Sequence, residues 1–472
     1  MILFIPKKSL NKNGKGASMN FSLKKKPLIR LMPAAAVAGA CLINNACCTT
    51  DTLTGSQGYA DPNCYSGSDS ERINAAVRDA HKFGGRVRIS RRNPDTVSDR
   101  DYWLLDSAIL VPGDTILIIS NCRIKLSDRA RDNWIRSANC IVGKPEVEWI
   151  SNLHIIGEGT AVLEGADHPR STGDGSKILR TNKFGMHVIK DGKVIRETYG
   201  TDEGKEGENQ YGDWRNIGIL LARVTNFSIR NLTLKNAHCW AVSLEYCRQG
   251  QVRELNFQAN ENPIIDGKQV KWLNQDGLDL RNGCRDITIE NITGYSGDDL
   301  IALTAIGTKS RPAGQILGTH FCGGDPDLRE QDVFNVSIRN IRGYSAGGYM
   351  IVRFLNQRGV HMHNIMLDGL LDTSPANHVC HAAVKLGDIN YGGSAKAGET
   401  TKFKINNIQT RARYAFVLGA PLADSMISNV LMFRERQNSD LIGFHGGKHE
   451  MKNVFFSNCE IIDLKKDSEK LP

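Results

Sequence analysis

From about residue 85 onward the chain is built of short apolar runs in which hydrophobic and polar positions alternate, separated by Gly, Asn and Asp. A period of two is the signature of strands that bury one face. Val87–Ile89, Trp103–Leu105, Thr115–Ile119 and Leu153–Ile156 open the series. A degenerate unit, apolar-x-Ile-x-Asn-apolar, then recurs at Phe227–Leu232, Ile287–Ile292, Val336–Ile341, Val360–Ile365, Phe403–Ile408 and Val454–Cys459. Successive Asn positions lie between 24 residues (Asn340 to Asn364) and 60 residues (Asn231 to Asn291, with an imperfect copy at Asn256) apart. Repetition at about 25 residues without intervening helices predicts a solenoid of parallel strands, with Ile pointing inward and Asn stacking as a hydrogen-bonded ladder at a corner. The Asn residues are therefore assigned to the scaffold, and longer intervals to loops inserted between coils.

One stretch keeps a different period. Over Asp69–Phe83 the residues Ile73, Ala76, Val77, Ala80 and Phe83 share one helical face, and Gly84-Gly85 ends the run. An amphipathic helix placed before the first coil fits a cap over the open end of a solenoid, where bare strand edges invite aggregation. The fold class predicted is all-β, a parallel β-helix with an N-terminal capping helix.

The first 48 residues read as an export leader. Lys7, Lys8, Lys12, Lys15, Lys24, Lys25, Lys26 and Arg30 precede the apolar stretch Leu31–Ile43, which is too short to span a bilayer comfortably and carries small residues at a cleavage site. Met19 to Cys41 alone has the layout of a bacterial signal, and Ala38-Gly-Ala-Cys41 resembles a lipoprotein box, so Cys41 is a candidate for lipid anchoring. Either route places residues 49–472 outside the cytoplasm, as a periplasmic, secreted or outer-membrane protein. That remainder reads as a single domain, interrupted by polar, Gly-rich insertions around 166–214 and 308–331, which are the expected walls of a binding face.

The formal net charge of +9 does not change this picture, because removing the eight cations of the leader leaves about +1. Bulk charge thus gives no reason to expect nucleic acid as a partner. The 12 cysteines would suit an oxidising compartment, yet no Cys-x-x-Cys pair occurs, which speaks against a zinc site. Several lie beside the repeated Asn positions, as small residues packed between coils would.

Candidate chemistry is concentrated in two acidic motifs, Asn274-Gln-Asp-Gly-Leu-Asp279 and Ser296-Gly-Asp-Asp299. Asp276 and Asp298 are 22 residues apart, close to one coil, so the motifs are expected to stack on neighbouring rungs about 4.8 Å apart. Asp-Gly and Gly-Asp are also ordinary turn dipeptides. Two pairs in register, however, crowd three carboxylates, an arrangement that raises at least one pKa or demands a cation and so points to a site.

The run Val224–Ala305 resembles the catalytic region of the polygalacturonase-like glycoside hydrolases, within the pectin-lyase-like right-handed parallel β-helices. Asn231–Trp240, Asn274–Asp279 and Gly297-Asp-Asp299 carry the resemblance. It implies that Asp298 is the general acid protonating the leaving oxygen, that Asp276 and Asp299 activate water, and that the glycoside is hydrolysed with inversion. It implies no cofactor and no metal, and a polysaccharide or oligosaccharide substrate. Asn274 and Asp279 are candidate sugar contacts, Asp279 alternatively holding the turn. Two family motifs are missing. Ser345-Ala-Gly-Gly-Tyr349 stands where a Gly-His-Gly is expected, with His378 and His381 as candidates to replace the His. The Arg-Ile-Lys that grips a substrate carboxylate has only a partial echo in Ala383-Val-Lys-Leu386. Lys385 and Arg353 are the candidate cations there.

His238 and Trp240 are expected to pack rather than to stack on sugar. His361 and His363 share one strand face without a third ligand and are expected at the surface. Two other functions fit the same residues less well: a Ca²⁺-dependent polysaccharide lyase, with the Asp cluster holding the ion, and a non-catalytic carbohydrate-binding solenoid.

Overall fold

The computed structural model describes residues 58–141, 147–169, 187–190, 193–196, 213–259, 264–265, 268–269, 275–306, 321–322, 327–390, 394–435 and 438–464. All of them belong to the compact unit Cys48–Pro472. The expected leader, Cys41 included, lies outside the described residues, as do Asn274 and most of the two expected insertions.

The fold is the right-handed parallel β-helix that the repeats predict. Its coils feed two parallel sheets. One has 12 strands and contains the long strands Ile150–Glu164, Val224–Lys235, Arg248–Gln258, Arg285–Ser296, Val333–Ser345, Met362–Asp372, Thr400–Thr410, Leu422–Arg434 and Met451–Asp463. The other has 10 short strands, among them Val242–Glu245, Leu278–Leu280, Ile301–Ala305, Met350–Asn356 and Ala382–Leu386. Between the sheets runs one core, a file of Ile, Leu, Val and Phe side chains such as Ile229, Val252, Ile289, Ile338, Leu367, Ile405 and Ile427, all essentially without exposure. Burying each such side chain contributes roughly 1.5–3 kcal/mol, so stability accumulates coil by coil.

Each long strand is two strand segments joined at a corner in the left-handed region, and this explains the Asn repeat. Asn231, Asn291, Asn340, Asn407, Asn429 and Asn458 all have φ between 51° and 58°. Asn tolerates that conformation better than other side-chain-bearing residues, since its short amide bonds locally. It also stacks: Asn340 Nδ2 donates to Asn291 Oδ1 at 2.6 Å, and Asn458 to Asn429 at 3.0 Å.

A second left-handed corner, five residues earlier in the long strands, carries Asn152, Asn226, Gln249, Asp286, Asn335, Asn364, Lys402, Asp424 and Asn453. Asn364 belongs to this column and not, as the spacing suggested, to that of Asn340. The core fixes the assignment, because Ile365 stacks on Val336 and so sets Asn364 beside Asn335, whose Oδ1 accepts from Asn364 Nδ2 at 2.5 Å. Gly369, at φ 87°, fills the Asn340 column on that coil. Likewise the corner between Asn231 and Asn291 is Glu254 and not Asn256, because Leu255 stacks between Leu232 and Ile292.

The helix forms over Asp69–Asp79 and tightens into a 3-10 turn over Ala80–Phe83. Ser68 caps its start, accepting from the Glu71 N–H while the Glu71 carboxylate accepts from the Ser68 N–H. Gly84, at φ 62°, ends it. Ile73, Ala76, Val77 and Ala80 are buried against the first coil. Of the insertion around 166–214, an antiparallel ribbon is described, His187–Lys190 with Lys193–Arg196. A further insertion, unforeseen from the sequence, separates Gln258 from Leu278 and contains the hairpin Ile264–Ile265 with Lys268–Gln269.

Among the described residues the nine cysteines from Cys64 to Cys459 form no disulfide, and seven of them are buried. Cys247 and Cys284 donate to carbonyls of the preceding coil, Leu221 at 3.4 Å and Leu244 at 3.2 Å, as small core residues.

Candidate active site

The short-strand sheet positions the acidic motifs. Leu278 pairs with Ile301, Asp279 with Ala302 and Leu280 with Leu303. Continued two residues back, this register sets Asp299 beside Asp276, so Asp276 stacks on Asp299, with Asp298 beside Gln275, rather than on Asp298. The repeat here is 23 residues and not 22. Gly277 is required by the close approach of the coils: a Cβ there would meet the Leu300 carbonyl oxygen at 2.4 Å. Thus the Asp-Gly dipeptide serves coil packing and simultaneously delivers Asp276 to the rim.

The carboxylates of Asp276, Asp298 and Asp299 converge, with one oxygen of each lying within 4.8 Å of the others. Asp276 and Asp298 each keep 7% exposure, whereas Asp299 has none. Asp276 Oδ1 accepts the Asp299 N–H at 3.0 Å. Asp299 Oδ1 accepts the Met350 N–H at 3.1 Å, and its Oδ2 meets Arg353 Nη1 at 3.2 Å. The Gly297 and Asp298 N–H groups both donate to the Gln275 carbonyl, at 2.9 and 3.2 Å, and the Ser296 hydroxyl donates to the Asp298 carbonyl at 2.7 Å. The backbone around all three acids is thereby fixed.

Burial and mutual repulsion hold protons on Asp276, Asp279 and Asp299. Asp276 is pushed well above the usual carboxylate range, by burial first and then by Asp279, Asp298 and Asp299. Asp299 is raised to about 6, burial outweighing the Arg353 guanidinium. Asp279, buried beside them, is likewise raised well above the usual range by burial, and neither of its oxygens has a hydrogen-bond partner among the described residues. It pairs in the sheet with Ser243 on one side and Ala302 on the other, so it stands in a column of the short strands beside the acids rather than merely holding a turn.

Two and three coils further along that column stand Arg353 and Lys385, paired in register. Arg353 reaches both ways, to Asp299 and, through Nη2, to Asp388 Oδ2 at 3.0 Å. Lys385 Nζ donates to the same Asp388 oxygen at 2.6 Å. Burial acts to raise the Asp388 carboxyl, but the Lys385 hydrogen bond, the Asn390 N–H and the positive charges of Lys385 and Arg353 hold it below its ordinary value. The sequence reading missed Asp388. Its only signal is the Gly387-Asp388 dipeptide just past a strand, which a turn explains equally well.

The remaining candidates serve the scaffold. His238 is buried, its Nε2 accepting the Ala166 N–H at 2.8 Å, and burial pushes its pKa down to about 4. Trp240 is buried with the Arg281 guanidinium 4.3 Å from its ring centroid. His363 stacks on Phe334 with ring centroids 4.9 Å apart, while His361 Nδ1 lies 3.5 Å from the Asp332 carboxylate. His378 Nε2 lies 2.7 Å from the Ser345 carbonyl, and the His381 N–H bonds the Gly348 and Tyr349 carbonyls. Both therefore pack against the Ser345–Tyr349 segment, where the resemblance expects its own His.

Sequence reasoning also missed Glu245. Completely buried, it accepts the Phe321 and Cys322 N–H groups at 2.8 and 2.7 Å and so anchors the described foot of the 308–331 insertion. Two clefts among the described residues, of about 540 and 510 Å³, lie elsewhere, one along Lys402, Met426 and Phe455 and one between the helix and Arg136. Titratable chemistry rather than volume marks the site, because residues 260–274 and 307–320, which flank it in sequence, lie outside the described residues.

Residues 150–325 match the family model of the glycosyl hydrolases family 28. The match contains the run Val224–Ala305, and the resemblance to the polygalacturonase-like glycoside hydrolases is borne out. It supports a glycosidase with a polysaccharide substrate. No curated protein matches the chain. Among solved structures, a tailspike protein mutant of E. coli bacteriophage HK620 in complex with hexasaccharide is 12% identical with a TM-score of 0.51, covering 86% of this chain and 66% of that one. The endo-xylogalacturonan hydrolase from Aspergillus tubingensis is 13% identical with a TM-score of 0.44, covering 84% and 90%. The polygalacturonase from Erwinia carotovora ssp. carotovora is 14% identical with a TM-score of 0.40, covering 84% and 95%. At these identities the likeness is one of fold.

Proposed function

We propose that the protein is an exported glycoside hydrolase cleaving a pectin-like or related polysaccharide with the Asp276, Asp298 and Asp299 carboxylates. The observation that carries this reading is their convergence within 4.8 Å, Asp276 and Asp298 each keeping a small exposed fraction, in a chain segment that matches a glycosidase family. Burying three acids together is unfavourable without a use or a counter-ion, and the raised Asp276 and Asp299 keep a proton within the cluster for acid catalysis.

Asp298, with its exposed fraction, gives its proton to the leaving glycosidic oxygen. Asp276, also at the rim, and Asp299, behind it, orient a water and take its proton, while Met350 N–H and Arg353 hold the Asp299 carboxylate in place. Water attack from the face opposite the leaving group inverts the anomeric centre. Arg353 beside Asp299 favours its ionised form, the form that can take the proton.

One observation favours a second stereochemistry. An inverting pair stands about 6.5 to 9.5 Å apart to admit water, and a retaining pair about 5 to 5.5 Å. Nearest oxygens within 4.8 Å lie on the side of the closer arrangement, in which Asp276 or Asp299 would attack the anomeric carbon directly, although the separation of whole carboxyl groups is larger than that of their nearest oxygens. The test is to incubate the purified protein with a polysaccharide panel and follow the anomer of the first released sugar by NMR. Release of the inverted anomer, abolished in Asp298→Asn, supports the assignment. Release of the retained anomer replaces the water with a covalent nucleophile, and unsaturated product sugars lost on chelation would make the protein a lyase.

A further inference from the structure

Arg353 and Lys385 are the cations that lead from the acid cluster to the next coils of the column, and both are already engaged. Asp388 takes the Arg353 Nη2 at 3.0 Å and the Lys385 Nζ at 2.6 Å on a single carboxylate oxygen. Its other oxygen accepts the Asn390 N–H at 2.9 Å and lies 3.5 Å from His445 Nδ1. The Arg353 Nη1 is held by Asp299. The Asp388 side chain is 3% exposed, those of Arg353 and Lys385 are 14% and 9%. This is a buried, multiply bonded ion cluster, not a loose surface pair, and breaking it leaves charges uncompensated.

The chemistry of such a cluster bears on what the cleft takes. A sugar carboxylate binds where a guanidinium or ammonium is left uncompensated, preferably in a bidentate fork. Here the fork is divided between Asp299 and Asp388, and Lys385 is neutralised by the same Asp388. An incoming carboxylate would meet Asp276, Asp279, Asp298 and Asp299 on one side and Asp388 on the other, with three cations, Arg353, Lys385 and, beside Asp279, Arg281, among five acids. Even with protons retained on part of the cluster, the balance does not favour another anion. A neutral sugar brings hydroxyl groups, which donate to carboxylates.

We propose that Asp388 is the specificity-determining residue of this site: it occupies the Arg353 and Lys385 cations in place of a substrate carboxylate, so the sugar bound beside the acid cluster is neutral rather than a uronate. The inference rests on the glycosidase reading for its turnover but not for its binding preference. It leaves uronates free to occur at other positions of the same polysaccharide.

The experiment uses two matched pairs, polygalacturonate and rhamnogalacturonan, each with its carboxyl-reduced counterpart, which differ only in CO₂⁻ against CH₂OH. Binding to the full chain is measured by affinity electrophoresis, and reducing ends are measured in parallel. The wild-type protein is expected to bind a reduced form at least tenfold tighter than its acidic parent. Asp388→Asn, nearly the same shape but uncharged, is expected to shift that ratio at least tenfold toward the acidic form, and Asp388→Asn with Lys385→Gln to shift it back. Equal or tighter wild-type binding of both acidic forms, binding of none of the four, or an unchanged ratio in folded Asp388→Asn would overturn the proposal. Should Asp388→Asn not fold, the wild-type ratio decides alone. A neutral preference without any release of reducing ends supports the inference while removing the glycosidase reading, which separates the two failures.

Discussion

The backbone N–H of Asp299 donates to the carboxylate of Asp276 one coil below it, at 3.0 Å. One acid thus holds another by its main chain, and the hydrogen bond survives any change to the Asp299 side chain. Asp276→Asn keeps an amide oxygen to accept the same N–H. Both Asn variants should therefore fold, and a loss of turnover would be chemical. We expect kcat to fall by a factor of about 10² or more in Asp276→Asn, Asp298→Asn and Asp299→Asn, the scale of one positioned acid or base. Circular dichroism alongside reducing-end assays checks this, and a triple variant no worse than the worst single one would show that the acids act as one unit.

The pH dependence of stability should run opposite to that of most carboxylates. Asp299 is raised from 3.8 to about 6, so between those values the folded state binds the proton that the unfolded chain has released. Stability consequently falls as pH rises through about 4 to 6, by an amount on the order of 3 kcal/mol from this group. Asp276 and Asp279, raised further, continue the trend upward, whereas Asp388, lowered, loses its contribution only in strong acid. Thermal melts from pH 4 to 8 should show a descending slope. Asp279→Asn removes one buried charge whose oxygens make no hydrogen bond among the described residues, and should flatten that slope and gain on wild type as pH rises. An identical slope in the variant would deny Asp279 its part.

Much of this was legible from the sequence, and the failures have physical reasons. Parallel coils, the capping helix and the meeting of Asp276, Asp298 and Asp299 follow from periodicity and motif spacing, because a two-residue alternation and a repeat near 23 leave little freedom of register. Asn364 and Asn256 misled because the corner selects a left-handed backbone and not a residue type. Lys402, Glu254 and Gly369 hold equivalent places, and only the stacking of Ile365 on Val336 or Leu255 on Leu232 shows which Asn belongs where. Asp388 escaped notice because its role depends on partners one and two coils away, Arg353 and Asp299, contacts that no local pattern encodes.

Glu245 offers a test of the scaffold behind the site. Its carboxylate is buried, pushed up by burial, and engaged by the Phe321 and Cys322 N–H groups. Glu245→Ala would strand two donors and open a cavity, for which we expect a loss of about 2 to 4 kcal/mol in urea unfolding. Glu245→Gln keeps an acceptor for one of the two and should lose about half as much. A Gln variant as stable as wild type would mean that volume, not hydrogen bonding, sets the energy.

The corner columns give the sharpest separation of backbone from side-chain effects. Asn340 sits at φ 54° and donates to Asn291 Oδ1 at 2.6 Å on an exposed edge. Asn340→Gly loses the hydrogen bond but not the backbone freedom, and Asn340→Ala loses both. The left-handed conformation costs a residue with a Cβ about 1 to 2 kcal/mol, while an exposed amide hydrogen bond contributes about 0.5 to 1 kcal/mol. Glycine in turn makes the unfolded chain more flexible, which offsets part of its advantage by about 0.5 to 1 kcal/mol. The alanine variant should therefore be the less stable of the two by about 1 kcal/mol in chemical denaturation. The same ordering is expected at Asn291 and Asn407, φ 58° and 56°, and reversal at all three would show that the ladder of amides, rather than the backbone, selects Asn at these corners.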